Sequence, residues 1–108
     1  MILEFIENEF VDLRVSLMDD GSPAELKDGE KLQFVSKIRT ENGAHLLNVI
    51  STLNDVDGKT WFYFDLAELK AKPGKYRFEI NLLTADGKSQ NVIKNSDGVL
   101  IISPKEKM

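Results

Sequence analysis

The chain has 108 residues, 42% of them hydrophobic and 30% charged, with 14 Lys and Arg against 18 Asp and Glu for a net charge of −4. That is the composition of one folded domain, and it excludes both a disordered chain and a basic nucleic-acid binder. The absence of cysteine excludes disulfides, thiolate metal sites and a thiol nucleophile.

The N-terminus carries Glu4, Glu7 and Glu9 where a secretory leader needs a basic start and an apolar core, so no signal peptide is expected. The longest apolar runs, Trp61-Phe62-Tyr63-Phe64 and Val99-Leu100-Ile101-Ile102, stop at four residues, whereas a membrane-spanning helix needs about 18. A short strand is expected over 2–6. Over 11–17 the residues alternate, with Val11, Leu13, Val15 and Leu17 on one face and Asp12, Arg14 and Ser16 on the other. Asp20-Gly21 and Asp28-Gly29 then mark turns, because Gly tolerates positive φ and Asp bonds the local backbone.

Alternation returns over 31–39, where Leu32, Phe34 and Ile38 face in, Gln33, Lys37 and Arg39 face out, and Val35 is an apolar exception on the outer face. Asn42-Gly43 marks the next turn. A weaker strand over 44–52, the turn at Asp57-Gly58 and an aromatic strand over 60–65 follow. Asp65 is placed to cap a single helical turn over 65–70. After Pro73-Gly74 comes the most regular strand, 75–84, with Tyr76, Phe78, Ile80 and Leu82 opposed to Lys75, Arg77, Glu79 and Asn81, and with Leu83 as its outer exception. Two further strands, 89–93 and 99–103, are separated by Asp97-Gly98, and the charged segment 104–108 reads as a tail or linker.

Seven to eight strands without a helix long enough for a parallel crossover predict an all-β domain over 1–103, an antiparallel β-sandwich in preference to a small barrel. The turn at Pro73 and Gly74, just before Tyr76, has the form of the tyrosine corner of immunoglobulin-like sandwiches. There the Tyr76 hydroxyl would bond a backbone group upstream, around 69–71. The other reading makes Tyr76 an ordinary core residue.

No catalytic constellation can be assembled. The sole histidine, His45, stands between Ala44 and Leu46 without a nucleophile at a fitting spacing, which argues against a small hydrolase. The string Asn54-Asp55-Val56-Asp57-Gly58 fails as an EF-hand loop, since Leu53 and Phe64 fall on ligand positions. An irregular calcium site near Asp19, Asp20 and Asp28 is set against the ordinary turn role of acidic residues. No glycine-rich phosphate loop occurs. The chain is thus expected to be no enzyme, with no cofactor, metal, small-molecule substrate, nucleic acid or membrane partner.

Recognition is better served. Successive aromatics in a strand point to opposite faces, so the run 61–64 cannot lie wholly in one core. Placing Phe62 and Phe64 inward leaves Trp61 and Tyr63, in the more polar set with Asp65, as outer interface anchors. Against this stand a covering loop or an inverted face with Trp61 in the core. Val35 and Leu83 are weaker interface candidates of the same kind, on the outer face of the other sheet.

The order of these features resembles the immunoglobulin-like N-terminal domain of the baseplate upper proteins of phages and prophages of Gram-positive bacteria. The resemblance rests on Asp19-Asp20-Gly21-Ser22-Pro23-Ala24-Glu25-Leu26, on Gly29-Glu30-Lys31-Leu32-Gln33-Phe34-Val35 with Lys37, and on the aromatic run 61–64. It continues through Leu69, Pro73-Gly74-Lys75-Tyr76 with Glu79, and Asp86-Gly87-Lys88, and so covers about 10–102. It implies a virion structural module, made in the bacterial cytoplasm, that attaches a stalk or receptor-binding assembly to the tail tip. Its partners would be other tail and baseplate proteins, with self-association. A carbohydrate-binding or adhesive module of a cell-surface protein is the alternative, with Trp61 and Tyr63 as stacking platforms for sugar rings.

Overall fold

The computed structural model describes residues 1–19, 22–24, 26, 29–51 and 60–105. Among them the elements are, in chain order, β1 (Ile2–Ile6), β2 (Phe10–Val15), β3 (Leu17–Asp19), β4 (Ser22–Ala24), β5 (Lys31–Thr40), β6 (Gly43–Ile50), β7 (Thr60–Asp65), α1 (Leu66–Leu69), β8 (Gly74–Leu83) and β9 (Ser89–Ser103). The domain is all-β. Five strands form one sheet in the order β1-β9-β8-β5-β6, β2 pairs with β7 in a second, and β3 and β4 make a separate hairpin.

Two expectations are corrected. The domain is not wholly antiparallel, because β1 runs parallel to β9 from Ile2↔Val99 to Ile6↔Ser103. A parallel pair needs a long connection, and here nearly the whole chain lies between the two strands. The described strands number nine rather than seven or eight. The β3–β4 hairpin adds two, while the segments expected as separate strands over 89–93 and 99–103 are one. Within β9 the partner of Phe78 is Gly98 and that of Ile80 is Ile93, so the intervening residues bulge out without ending the strand.

Alternation builds the core. Leu32, Phe34 and Ile38 of β5, Phe78 and Ile80 of β8, Leu100 and Ile102 of β9, Val11 of β2, and Phe62 and Phe64 of β7 are all buried. The Phe34 ring stands 5.1 Å from Phe78 within its own sheet, and 5.9 Å and 5.5 Å from Phe62 and Phe64 of the other. The two sheets therefore face each other through these rings, and each has an outward side free of the core.

Buried polar groups are satisfied by closing turns and tying strands. Thr40 Oγ1 donates to the Gly43 carbonyl and accepts from the Asn42 amide, fixing the β5–β6 turn. Ser36 Oγ donates to the Arg77 carbonyl at 2.6 Å, and Ser51 Oγ accepts from the Leu32 amide at 2.9 Å. Asp65 caps α1, its Oδ1 accepting from the amides of Ala67 and Glu68, and Leu66 is buried beneath it.

Tyr76 is buried at the start of β8, and its hydroxyl donates to the Lys72 carbonyl at 2.7 Å. The acceptor lies one residue beyond the expected 69–71. Within that span the Lys70 carbonyl already accepts from Glu41, and Ala71 bridges to Thr40. Pro73 and Gly74 form the bend, and a Cβ on Gly74 would come within 3.1 Å of the Tyr76 hydroxyl oxygen. Tyr76→Phe should therefore lower the urea midpoint by the equivalent of about 1 kcal/mol with an unchanged slope, since one hydrogen bond is lost and the ring is kept.

Candidate functional site

The outward side of the smaller sheet carries the most distinctive surface chemistry. The antiparallel register of β2 and β7 sorts their residues into two sets. Val11↔Phe64, Leu13↔Phe62 and Val15↔Thr60 turn toward the core, and Phe10↔Asp65, Asp12↔Tyr63 and Arg14↔Trp61 turn outward. Trp61 and Tyr63 are half-buried on that outward side, while Phe62 and Phe64 lie inside.

The outward rings form a ladder along and across the strands. Phe10, 61% exposed, lies with its ring 6.2 Å from that of Tyr63. The Tyr63 ring meets Trp61 edge-on at 5.9 Å. The Arg14 guanidinium stands 4.2 Å over the Trp61 ring, and its Nη2 donates to Asp12 Oδ2 at 3.4 Å. A guanidinium over an indole contributes about 0.5–1 kcal/mol at an exposed site.

Burial among these neighbours, with the Asp12 charge adding to it and Arg14 opposing, raises the Tyr63 pKa above its ordinary value. The hydroxyl therefore stays protonated, a neutral donor, at physiological pH. Asp65, the remaining outward residue of β7, is committed to capping α1. The surface thus presents three aromatic rings with an Arg–Asp pair at one end. It suits an amphipathic partner surface better than a single charged ligand.

The four interface residues named from the sequence do not share one face. Val35 and Leu83 are half-buried on the outward side of the larger sheet, turned away from the smaller one. They are separated there by a row of side-chain amides. Gln33 donates to Asn48 at 2.9 Å, Asn81 donates to Gln33 at 3.3 Å, and Asn91 donates to Asn81 at 2.8 Å. Val35 pairs with Glu79, and Leu83 pairs with Lys31, about 14 Å apart along the strands. They form no common patch, so only Trp61 and Tyr63 are brought together.

Phe10 and Arg14 complete the ladder and were not named as interface residues. Their signal is the outward parity of Phe10, Asp12 and Arg14, which extends the alternation one residue ahead of Val11. His45 is exposed on β6 opposite Ile38. Among the described residues no three His, Asp or Glu side chains gather as metal ligands, and no helix is long and apolar enough to cross a membrane. Asp20, Asp28 and the acidic string 54–58 lie outside the described residues, as does the side chain of Asp19. Compared with protein-family models, curated proteins and solved structures, the chain matches none.

Proposed function

We propose that this chain is a non-enzymatic, immunoglobulin-like structural module that works by protein–protein contact, attaching a stalk or receptor-binding assembly to the tip of a phage tail. Strand pairing supports the immunoglobulin-like reading. Such sandwiches place strands B and E in one sheet and C, F and G in the other, with C′ added beside C in the variable type. The pair β2-β7 stands where B and E would, and β6-β5-β8-β9 follows the order C′-C-F-G. The Tyr76 bond to the backbone four residues upstream has the form of the tyrosine corner. The arrangement departs from the seven-strand plan in β1, which joins the larger sheet beside β9.

The observation that carries the assembly role is the outward ladder of Phe10, Tyr63 and Trp61. Three rings on the water-facing side of a two-stranded sheet add nothing to the core between the sheets, and aromatic residues with an arginine are the usual anchors of protein interfaces. The tail-tip setting comes from the sequence resemblance.

Trp61→Ala tests the role. Folding should be retained, with incorporation into tail particles of the strain that encodes the chain reduced by roughly 30-fold or more, the effect of losing about 2 kcal/mol from an anchor. Unfolding of the variant, or normal incorporation, would remove Trp61 from the contact. The glycan-binding alternative is disfavoured by Arg14, which covers a face of the indole that a stacked sugar ring would use. Binding to a cell-wall polysaccharide that is lost on Trp61→Ala would reverse that preference.

A further inference from the structure

Among the described residues, the larger sheet ends in β1 on one side and β6 on the other. Free edges present unpaired backbone amides and carbonyls, and proteins guard them with charge, proline or bulges. The edge strand β1 is five residues long, carries Glu4, and runs into Glu7 and Glu9. The strand β6 is eight residues, Gly-Ala-His-Leu-Leu-Asn-Val-Ile, with no Asp, Glu, Lys, Arg or Pro. Its register with β5 is unbroken from Thr40↔Gly43 to Gln33↔Ile50, so no bulge turns the edge away. Leu46, 59% exposed, and Ile50 add apolar surface on the outward side. Among the described residues, β6 has no strand neighbour besides β5.

We infer that β6 is the docking edge for a second copy of this chain, the two strands pairing antiparallel about a twofold axis at Leu46. In a continuous sheet, residues opposite each other must point to the same side, so two copies of one strand can be centred on a residue but not between two. Centring on Leu46 sets Leu46 against its counterpart, Ala44 against Asn48, His45 against Leu47 and Gly43 against Val49. The most exposed apolar side chain of the strand is then covered by itself.

An uncharged strand meets its own copy without like charges opposite one another, whereas a charged partner segment finds nothing on β6 to pair with. The nearest cations, Lys37 of β5 and its counterpart, would stand about three strand spacings, roughly 14 Å, apart, and Arg39 would lie farther still from its own. That exceeds the screening length of about 8 Å at physiological salt. The product is a closed, isologous dimer with one sheet running through both copies. It leaves the Phe10, Tyr63 and Trp61 ladder of the other sheet uncovered, and it stands or falls independently of that ladder's role.

The interface is small, so association should be weak, in the micromolar-to-millimolar range. Sedimentation of the full chain over that concentration range should show a reversible monomer–dimer equilibrium. Leu46→Lys, which sets two charges against each other at the axis, should raise the dissociation constant about tenfold or more. Trp61→Ala should leave it unchanged. Because the chain has no cysteine, Leu46→Cys gives a second readout. Directly opposed strand residues lie within disulfide reach, so this variant should form a covalent dimer under mild oxidation far faster than Ile2→Cys at the other edge. A strictly monomeric wild type, a dimer lost with Trp61→Ala but kept with Leu46→Lys, or equal cross-linking from both cysteine variants would overturn the assignment.

Discussion

Gly98→Ala is expected to lower the thermal midpoint of the domain by roughly 10–20 °C, a loss of about 3 kcal/mol for a domain of this size. Gly98 is buried in β9 opposite Phe78. A Cβ there would fall onto the Phe78 carbonyl oxygen, far inside van der Waals contact, and 3.1 Å from both the Phe78 carbonyl carbon and its ring Cδ1. Neither obstacle can retreat freely, since the carbonyl belongs to the backbone of a central strand and the Phe78 ring is stacked on Phe34 at 5.1 Å. The glycine also sits where the β8–β9 register shifts, so the substitution forces apart the strands at the bulge that makes β9 continuous. Circular dichroism melts of wild type and variant measure the effect. A loss below about 1 kcal/mol would mean that β8 and β9 separate there without cost.

Phe34→Ala is expected to cost about 3–5 kcal/mol, a large part of the roughly 5–15 kcal/mol that holds a domain together. The fully buried Phe34 ring touches Phe78 in its own sheet and Phe62 and Phe64 in the other. Removing it opens a cavity at the junction of the sheets rather than at a rim that could close. The neighbouring substitution Val35→Ala, on the outward side of the same strand, should cost under about 1 kcal/mol. Urea unfolding of the two variants therefore reads the in–out alternation of β5 directly. Equal losses at 34 and 35 would contradict the packing of the two sheets through Phe34.

Local pattern was enough to read the strands that build this junction. The alternation of 31–39 and 75–84, and the turn at Asn42-Gly43, appear as β5, β8 and the Thr40–Gly43 closure. The polar companions of Trp61 and Tyr63 likewise marked the outward side of β7. Non-local pairing left no such trace. Nothing in 2–6 or 99–103 alone announces that β1 lies parallel to β9, because that pairing depends on where the rest of the chain carries β1. The same reason hid the ladder's other half, since Phe10 and Arg14 reach Tyr63 and Trp61 only through the β2–β7 register. Val35 and Leu83 looked alike as apolar exceptions, and only the amide row between them shows that they cannot act together.

Trp61 is the only tryptophan in the chain, which makes the most direct test of the proposed assembly surface a single spectroscopic one. With the chain labelled by fluorinated tryptophan, fluorine NMR gives one resonance, reporting from the Arg14 end of the outward ladder. On addition of tail-tip assemblies from the strain that encodes the chain, that resonance should shift or broaden and lose its sensitivity to exchange of H2O for D2O, as the indole leaves water at the contact. A resonance that stays unchanged while sedimentation shows the chain bound would contradict the account and put the contact on another face.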